Sequence, residues 1–190
     1  AGIMAPPRSL SKQGWEIQFA VNHLGHMALT NNLIPLLEVN KGSRVVTVSS
    51  GAQYFARIDW DDLQGEKKYN RWSSYAQSKL ANVMFAIKLA QLYGKDGIIS
   101  HSFHPGRIKT AIWPSSKWYE KIFTFFVNFT LKSPEEGARP LISLSLDEKY
   151  NKKESSFLWE MKEKEVHKPA RDQQKIDKLW NMSLEMTKKY

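Results

Sequence analysis

Residues 43–51 read SRVVTVSSG, and the fold turns on how this stretch is taken. A short β-branched run bounded by Gly42 and Gly51 is what a central strand of an α/β sheet looks like. Strands of that kind sit in parallel sheets covered by helices. The surroundings agree. Upstream, residues 12–39 carry Trp15, Ile17, Phe19, Val21, Leu24, Met27, Leu29, Leu33, Ile34 and Leu37, dense enough to predict a long, largely buried helix with Ser11 as its N-cap and Gly42 as its stop. Downstream, the polar and aromatic stretch at 52–72 is too long for a simple turn and reads as a functional loop. A second helix is expected from Ser73 or Ser74, with Leu80, Val83, Met84, Ile87 and Leu92 at three- and four-residue spacings and Gly94 and Gly97 at its end. IISHSFHPG, residues 98–106, then predicts a second strand stopped by Pro105 and Gly106. The order helix, strand, helix, strand implies a right-handed crossover and parallel pairing.

The pattern loosens beyond Thr110 and resumes at SPEEGARPLISLSL, residues 133–146. Ser133 as N-cap, Pro134 at the first helical position and Glu136 closing a capping box predict a helix start, and Pro140 restricts or kinks that helix. SSFLWEM at 155–161 predicts a short last strand. In the C-terminal stretch, Ile176, Leu179, Trp180 and Leu184 form one stripe of an amphipathic helix. With no internal repeat, low-complexity tract or linker, residues 1–190 read as a single domain.

Composition narrows the function. The 190 residues are 42% hydrophobic and 12% aromatic, which suits a folded core rather than disorder. The formal charge of +9 comes from scattered Lys and Arg, not from a block or a zinc-finger spacing, which argues against nucleic acid. The absence of cysteine excludes disulfides and thiol chemistry. No apolar run reaches the ~18 residues of a spanning helix. The nearest, IFTFFVNFTL at 122–131, would either dip into a membrane interface beside Trp113, Trp118 and Tyr119 or lie as a lid over an apolar substrate pocket. An intracellular location is expected, cytoplasmic or peripheral on a membrane or lipid-droplet surface.

SSYAQSK, residues 73–79, places Tyr75 and Lys79 at i and i+4, with β-carbons about 5–6 Å apart. An ammonium about 5 Å from a phenolate, at an effective dielectric of about 20, is worth roughly 3 kcal/mol and draws a tyrosine pKa down by about two units. A lysine-rich chain with seven tyrosines yields about one such pair by chance, so the spacing alone carries nothing. Order does. Ser50 ends a predicted parallel strand, Tyr75 opens the next helix and His104-Pro105-Gly106 ends the following strand, and ligands in open α/β sheets bind beyond the carboxyl ends of strands. Asn22, mid-helix among apolar residues, is either satisfied by a local kink or placed for use. His23 and His26, three apart, lack a third metal ligand. Asp59, Asp61 and Asp62 read as a solvated loop, and His104 as a residue that shapes its loop by a hydrogen bond.

Taken together, AGIM (1–4), FAVNHLGHMALT (19–30), RVVTVSS (44–50), YAQSK (75–79), HPGRIKT (104–110) and KSPEEGA (132–138) resemble the short-chain dehydrogenases/reductases, within them the branch of the retinol dehydrogenases and WW-domain oxidoreductases. The resemblance implies a Rossmann-like, doubly wound α/β fold, here its C-terminal part of about three strands with flanking helices. It implies NADP or NAD as cofactor and hydride transfer between that cofactor and a carbonyl or alcohol. By the same resemblance Tyr75 is the acid/base, Lys79 lowers its pKa and holds the nicotinamide ribose, Ser50 positions the substrate oxygen, with Ser49 the neighbouring alternative, and Asn22 anchors a proton-carrying water. Gly106, Ile108 and Thr110 would meet the cofactor. The aromatic segment 113–129 occupies the region that covers a substrate in that family, so a small lipophilic alcohol or aldehyde is expected. The family's Gly-rich pyrophosphate turn is not among the ten glycines. The chain is therefore expected to be either part of a complete oxidoreductase or a truncated, non-catalytic interaction protein on the same scaffold, and the apolar edge exposed in the second case favours the first.

Overall fold

The structure, a computed structural model, describes residues 1–108, 132–151 and 154–188. Thr110 and the aromatic segment 113–129 lie outside the described residues. Among those described, β1 (Arg44–Val48), β2 (Ile99–His104), β3 (Phe157–Trp159) and β4 (Lys162–Glu163) form one sheet in that order. β1 runs parallel to β2, from Arg44 opposite Ile99 to Val48 opposite Phe103, and β2 runs parallel to β3. β4 folds back antiparallel on β3, a strand that two exposed charged residues give no pattern to predict.

Alternation along the strands puts helices on both faces. Val45 and Phe157 pack into clusters that include Met84, Phe85 and Leu89 of α3 (Arg71–Tyr93), whereas their neighbours Val46 and Leu158 pack with Leu144 of α4 (Pro134–Leu146). This is the α/β layering expected from residues 43–51. α4 begins with the full capping box: Ser133 Oγ accepts from the Glu136 amide, and the Glu136 carboxylate accepts from the Ser133 amide. Its C-terminal end is tied to β1 by Arg44, whose guanidinium donates to the carbonyls of Leu144 and Asp147. α5 (Gln173–Thr187) is capped by Asp172 and buries Ile176, Leu179 and Trp180 as its stripe predicts.

The helix expected over residues 12–39 differs in three respects. It begins as α1 (Ile17–Phe19), widens into a π-helical turn at Ala20–Leu24 and continues as α2 (Gly25–Val39). Its cap is Glu16, whose carboxylate accepts from the Phe19 amide, while Ser11 closes a separate turn through the amides of Gln13 and Trp15. It is also less buried than its composition suggests: Leu29, Leu36 and Val39 are 62%, 65% and 78% exposed. Apolar residues occupy more than one face, and only the side bearing Met27, Ile34 and Leu37 meets the core. α3 starts at Arg71, earlier than expected, because the Asn70 side chain takes the amides of Trp72 and Ser73. In the loop before it, the Asp62 carboxylate collects the amides of Glu66, Lys67 and Lys68, so this acidic residue organises the loop through the backbone. No helix among the described residues is long and apolar enough to cross a membrane.

The carboxyl ends of β1 and β2 open onto one cleft, and the turn after β1 is fixed from the side by β3. A Cβ on Gly51 would stand 2.6 Å from Trp159 Cη2 and 2.9 Å from Cζ3, so the indole occupies the space a side chain would need. Gly51→Ala should therefore destabilise the chain by about 1–3 kcal/mol in urea denaturation and shift tryptophan emission; an unchanged midpoint would show that the turn tolerates the methyl group.

Candidate active site

Tyr75 and Lys79 lie one turn apart on α3, with Lys79 Nζ 5.7 Å from the Tyr75 ring centroid. Ser50, the residue before the Gly51 turn, lines the same pocket as Tyr75, and its hydroxyl draws the phenol pKa down. Its Oγ also takes the Ala52 amide at 3.2 Å, which sets its direction. Ser49 faces elsewhere: it is buried and donates to the Lys79 carbonyl at 2.7 Å, tying the end of β1 to the backbone of α3. Of the two serines, Ser50 is the one whose side chain acts on the tyrosine.

Lys79 is 4% exposed, and its ammonium donates to the Val48 carbonyl over a long 3.5 Å. Burial holds its pKa down, from 10.5 to about 8. The depression of the tyrosine pKa expected from the spacing is absent. Burial raises the Tyr75 pKa above the usual phenol value, and the Ser50 hydroxyl draws it only part of the way back. Helical spacing accounts for the attraction between the two groups as though both lay in a uniformly polarisable medium, whereas here desolvation of the phenolate outweighs its neighbours.

Asn22 sits in the π-helical turn, where the widened backbone carries its amide away from the helix axis and toward α3. Its Nδ2 donates to the Ile3 carbonyl at 2.9 Å and to Ser78 Oγ at 3.0 Å, and its Oδ1 accepts from the Ile3 amide at 2.8 Å. This side chain braces residues 1–4 against α3. A Cβ on Gly2 would lie 3.5 Å from Asn22 Oδ1 and 4.0 Å from Lys79 Nζ, so the missing side chain leaves a gap between the two polar groups.

Ser50, Tyr75 and Lys79, but not Asn22, border a pocket of about 400 Å³, lined also by Met4, Val48 and Ile108 among others, and predominantly apolar. Gly106 and Ile108, which the resemblance assigns to the cofactor, both line it; Thr110 lies outside the described residues. Ile108 rests on α4 at Gly137, where a Cβ would come within 2.5 Å of its Cδ1. His104 also lines the pocket, but not through the hydrogen bond expected of it: its Nδ1 is buried without a partner among the described residues, and its ring packs at 4.6 Å on Trp159. Burial lowers its pKa to about 4, so the ring is neutral at physiological pH. The paired histidines are separated too, His26 bonding the Ala1 carbonyl and His23 meeting Ser183, and no group of three metal-ligating side chains exists among the described residues.

Two contributors escaped the sequence reading. Asn82 donates to the Val48 carbonyl at 3.0 Å, and Ser78 supports Asn22. The signal for both was present, since residues 75, 78, 79 and 82 share one helical face. The packing of Trp159 on the Gly51 turn and of Ile108 on Gly137 had no such signal, being set by contacts between distant elements.

The geometry fits what comparison with other proteins finds. A family model described as short chain dehydrogenase matches residues 1–120. Human retinol dehydrogenase 12 is 35% identical over 186 residues, covering 98% of this chain and 58% of that protein. Mouse polyprenol dehydrogenase is 34% identical over 194 residues with the same coverage, 98% and 58%. Among solved structures, an uncharacterized protein from Mycobacterium Paratuberculosis superposes with a TM-score of 0.72 at 33% identity, over 99% of this chain and 65% of that one. A short chain dehydrogenase from Burkholderia cenocepacia in complex with NADP has a TM-score of 0.60 at 18% identity, covering 90% of this chain and 63% of that one, a likeness of fold alone. This chain thus spans 58% of the length of both named relatives. With a family model matched over residues 1–120 of its 190, the chain belongs to the short-chain dehydrogenases.

Proposed function

We propose that the chain carries the reaction half of an NAD(P)-dependent oxidoreductase that interconverts a carbonyl and an alcohol, with Tyr75 as its acid/base. The observation that carries this reading is the convergence of Ser50, Tyr75 and the buried Lys79, one turn from the tyrosine, on one mostly apolar pocket. A pocket of about 400 Å³ is within the ordinary range for a small ligand, and its mix of apolar wall and buried cation suits a nicotinamide riboside portion. Ile108 and Gly106 would face the ring, and Lys79 the ribose; Thr110 joins this set by resemblance. When bound, the nicotinamide supplies or accepts the hydride.

The chain's own groups handle the proton. In the direction of reduction the Tyr75 phenol, kept protonated by burial, donates its proton to the substrate oxygen. Ser50 holds that oxygen beside the phenol and, with the nearby Lys79 ammonium, stabilises the phenolate left behind. Asn22 anchors a water in the gap beside Gly2, between its Oδ1 and Lys79 Nζ, through which Tyr75 is reprotonated. The substrate is lipophilic: the pocket wall is apolar, and the names of the relatives specify retinol and polyprenol, both long apolar alcohols. A peripheral membrane or lipid-droplet setting belongs to the same reading, supported by such substrates and by exposed apolar side chains, Phe55 at 91% and Val39 at 78%.

Three measurements bear on this assignment. Tyr75→Phe should abolish turnover of a lipophilic aldehyde with NADPH by orders of magnitude while circular dichroism stays unchanged; an active Phe variant would favour the non-catalytic scaffold. The kcat/KM for reduction should fall on a basic limb near pH 8, where Lys79 loses its proton; a limb that persists in Lys79→Arg would assign it elsewhere. Finally, because the folded pKa of Lys79 lies below the unfolded one, the unfolded chain binds the extra proton between about 8 and 10.5. Its burial therefore destabilises the fold fully below pH 8, and stability recovers as pH rises to 10.5. Lys79→Met should stabilise the chain at pH 7 by on the order of 3 kcal/mol at most, a gain that vanishes above the unfolded pKa; denaturation at pH 7 and pH 11 measures the difference.

A further inference from the structure

Two buried polar atoms beside the site, His23 Nδ1 and Asn82 Oδ1, have no hydrogen bond of good geometry among the described residues. The rest of each side chain is engaged. His23 Nε2 lies 2.9 Å from Ser183 Oγ, and Asn82 Nδ2 donates to the Val48 carbonyl at 3.0 Å. His23 is 2% exposed, and Asn82 and Ser183 are fully buried, so neither orphan reaches bulk solvent. Phe19 at 4.9 Å and Phe85 at 6.2 Å wall the imidazole. Asn82 lies on the stretch of α3 against which this turn packs, between Ser78, which Asn22 bonds, and Phe85, 6.2 Å from the imidazole, and its side chain partly offsets the burial that lowers the His23 pKa to about 4.

Leaving a buried donor or acceptor unpaired carries its full desolvation cost, so the tautomer that pairs the orphans is preferred. Asn82 Oδ1 is an acceptor only, and with a proton on Nδ1 the imidazole is its donor. A proton on Nε2 instead would leave an acceptor nitrogen against an acceptor oxygen. We propose that His23 and Asn82 are positioning residues: His23 carries its proton on Nδ1, donates it in a hydrogen bond to Asn82 Oδ1, accepts from Ser183 through Nε2, and so fixes the amide that holds the Val48 carbonyl for Lys79. The donors then run in one direction, from Ser183 on α5 through His23 in the π-helical turn to Asn82 on α3 and the last residue of β1. Each bond polarises the next. At its end the Val48 carbonyl has two lone pairs, one taken by Asn82 at 3.0 Å and the other reached by Lys79 Nζ at 3.5 Å. The consequence for catalysis rests on the function proposed above; the hydrogen-bond chain itself does not.

The test is nitrogen NMR on the 190-residue chain without cofactor or substrate, so that its result is independent of any turnover assay. The expected wild-type pattern is a protonated Nδ1 and an unprotonated Nε2 on His23. Asn82→Leu, close in volume, should reverse the tautomer so that Nε2–H donates to Ser183, whereas Ser183→Ala should leave Nδ1 protonated. The same Leu variant should move the Lys79 titration upward by about half a unit or more, because the carbonyl is left to the ammonium alone. A mere packing role for Asn82 moves neither signal. A wild-type Nε2–H tautomer, or a folded Asn82→Leu chain in which the tautomer and the Lys79 titration both stay put, overturns the proposal. Where Asn82→Leu does not fold, the wild-type tautomer and Ser183→Ala decide it.

Discussion

The constraint on which the structure depends is a lysine ammonium held almost out of water with little to compensate it. Lys79 has one long hydrogen bond, to a strand-end carbonyl, and no carboxylate paired with it among the ion pairs of the described residues. Burying a charge under such conditions is unfavourable, and its neighbours are arranged around that fact. Ser49 clamps the Lys79 backbone, Asn82 shares its acceptor, and Asn22 braces the segment that passes its ammonium. Groups kept in a costly state by a rigid surround are characteristic of reaction centres, where stability is given up for chemistry.

Layering explains how the parts meet. Parallel strands place the ends of β1 and β2 side by side, so Ser50 and the residues after His104 emerge at one edge. α3 returns beneath that edge with Tyr75 near its N-terminus, while α4 approaches from the opposite face and seats Ile108 on Gly137. The two helices face opposite sides of one sheet, and the cleft lies where both reach its end. No single element contains the site.

The sequence disclosed what is local. A capping box, a β-branched run between glycines and a tyrosine four residues before a lysine are short-range signals, and each lies where it pointed, to within a few residues. The order of the motifs along the chain also specified which strand ends converge. What it did not disclose depends on three dimensions. Asn22 among apolar residues signals a local irregularity in residues 19–25 but not that it is a π-helical turn, because the extra residue is accommodated by tertiary contacts of Asn22 with Ile3 and Ser78. The exposed side of α2 was hidden by its uniform hydrophobicity. The sign of the Tyr75 shift was missed because desolvation is a property of everything around the ring, whereas spacing reports only its nearest charge.

The indole of Trp159 lying across Gly51 has an implication for how the molecule is made. Ser50 is close in sequence to the tyrosine whose pocket it shares, yet the turn that aims it is walled by a strand far downstream. Contacts of such long sequence separation form late, after the entropy of closing the intervening loop has been overcome. A nascent chain that has emerged only through α3 would hold Tyr75 and Lys79 on their helix without the indole that walls the Ser50 turn, so the geometry around that turn is complete only once β3 has left the ribosome.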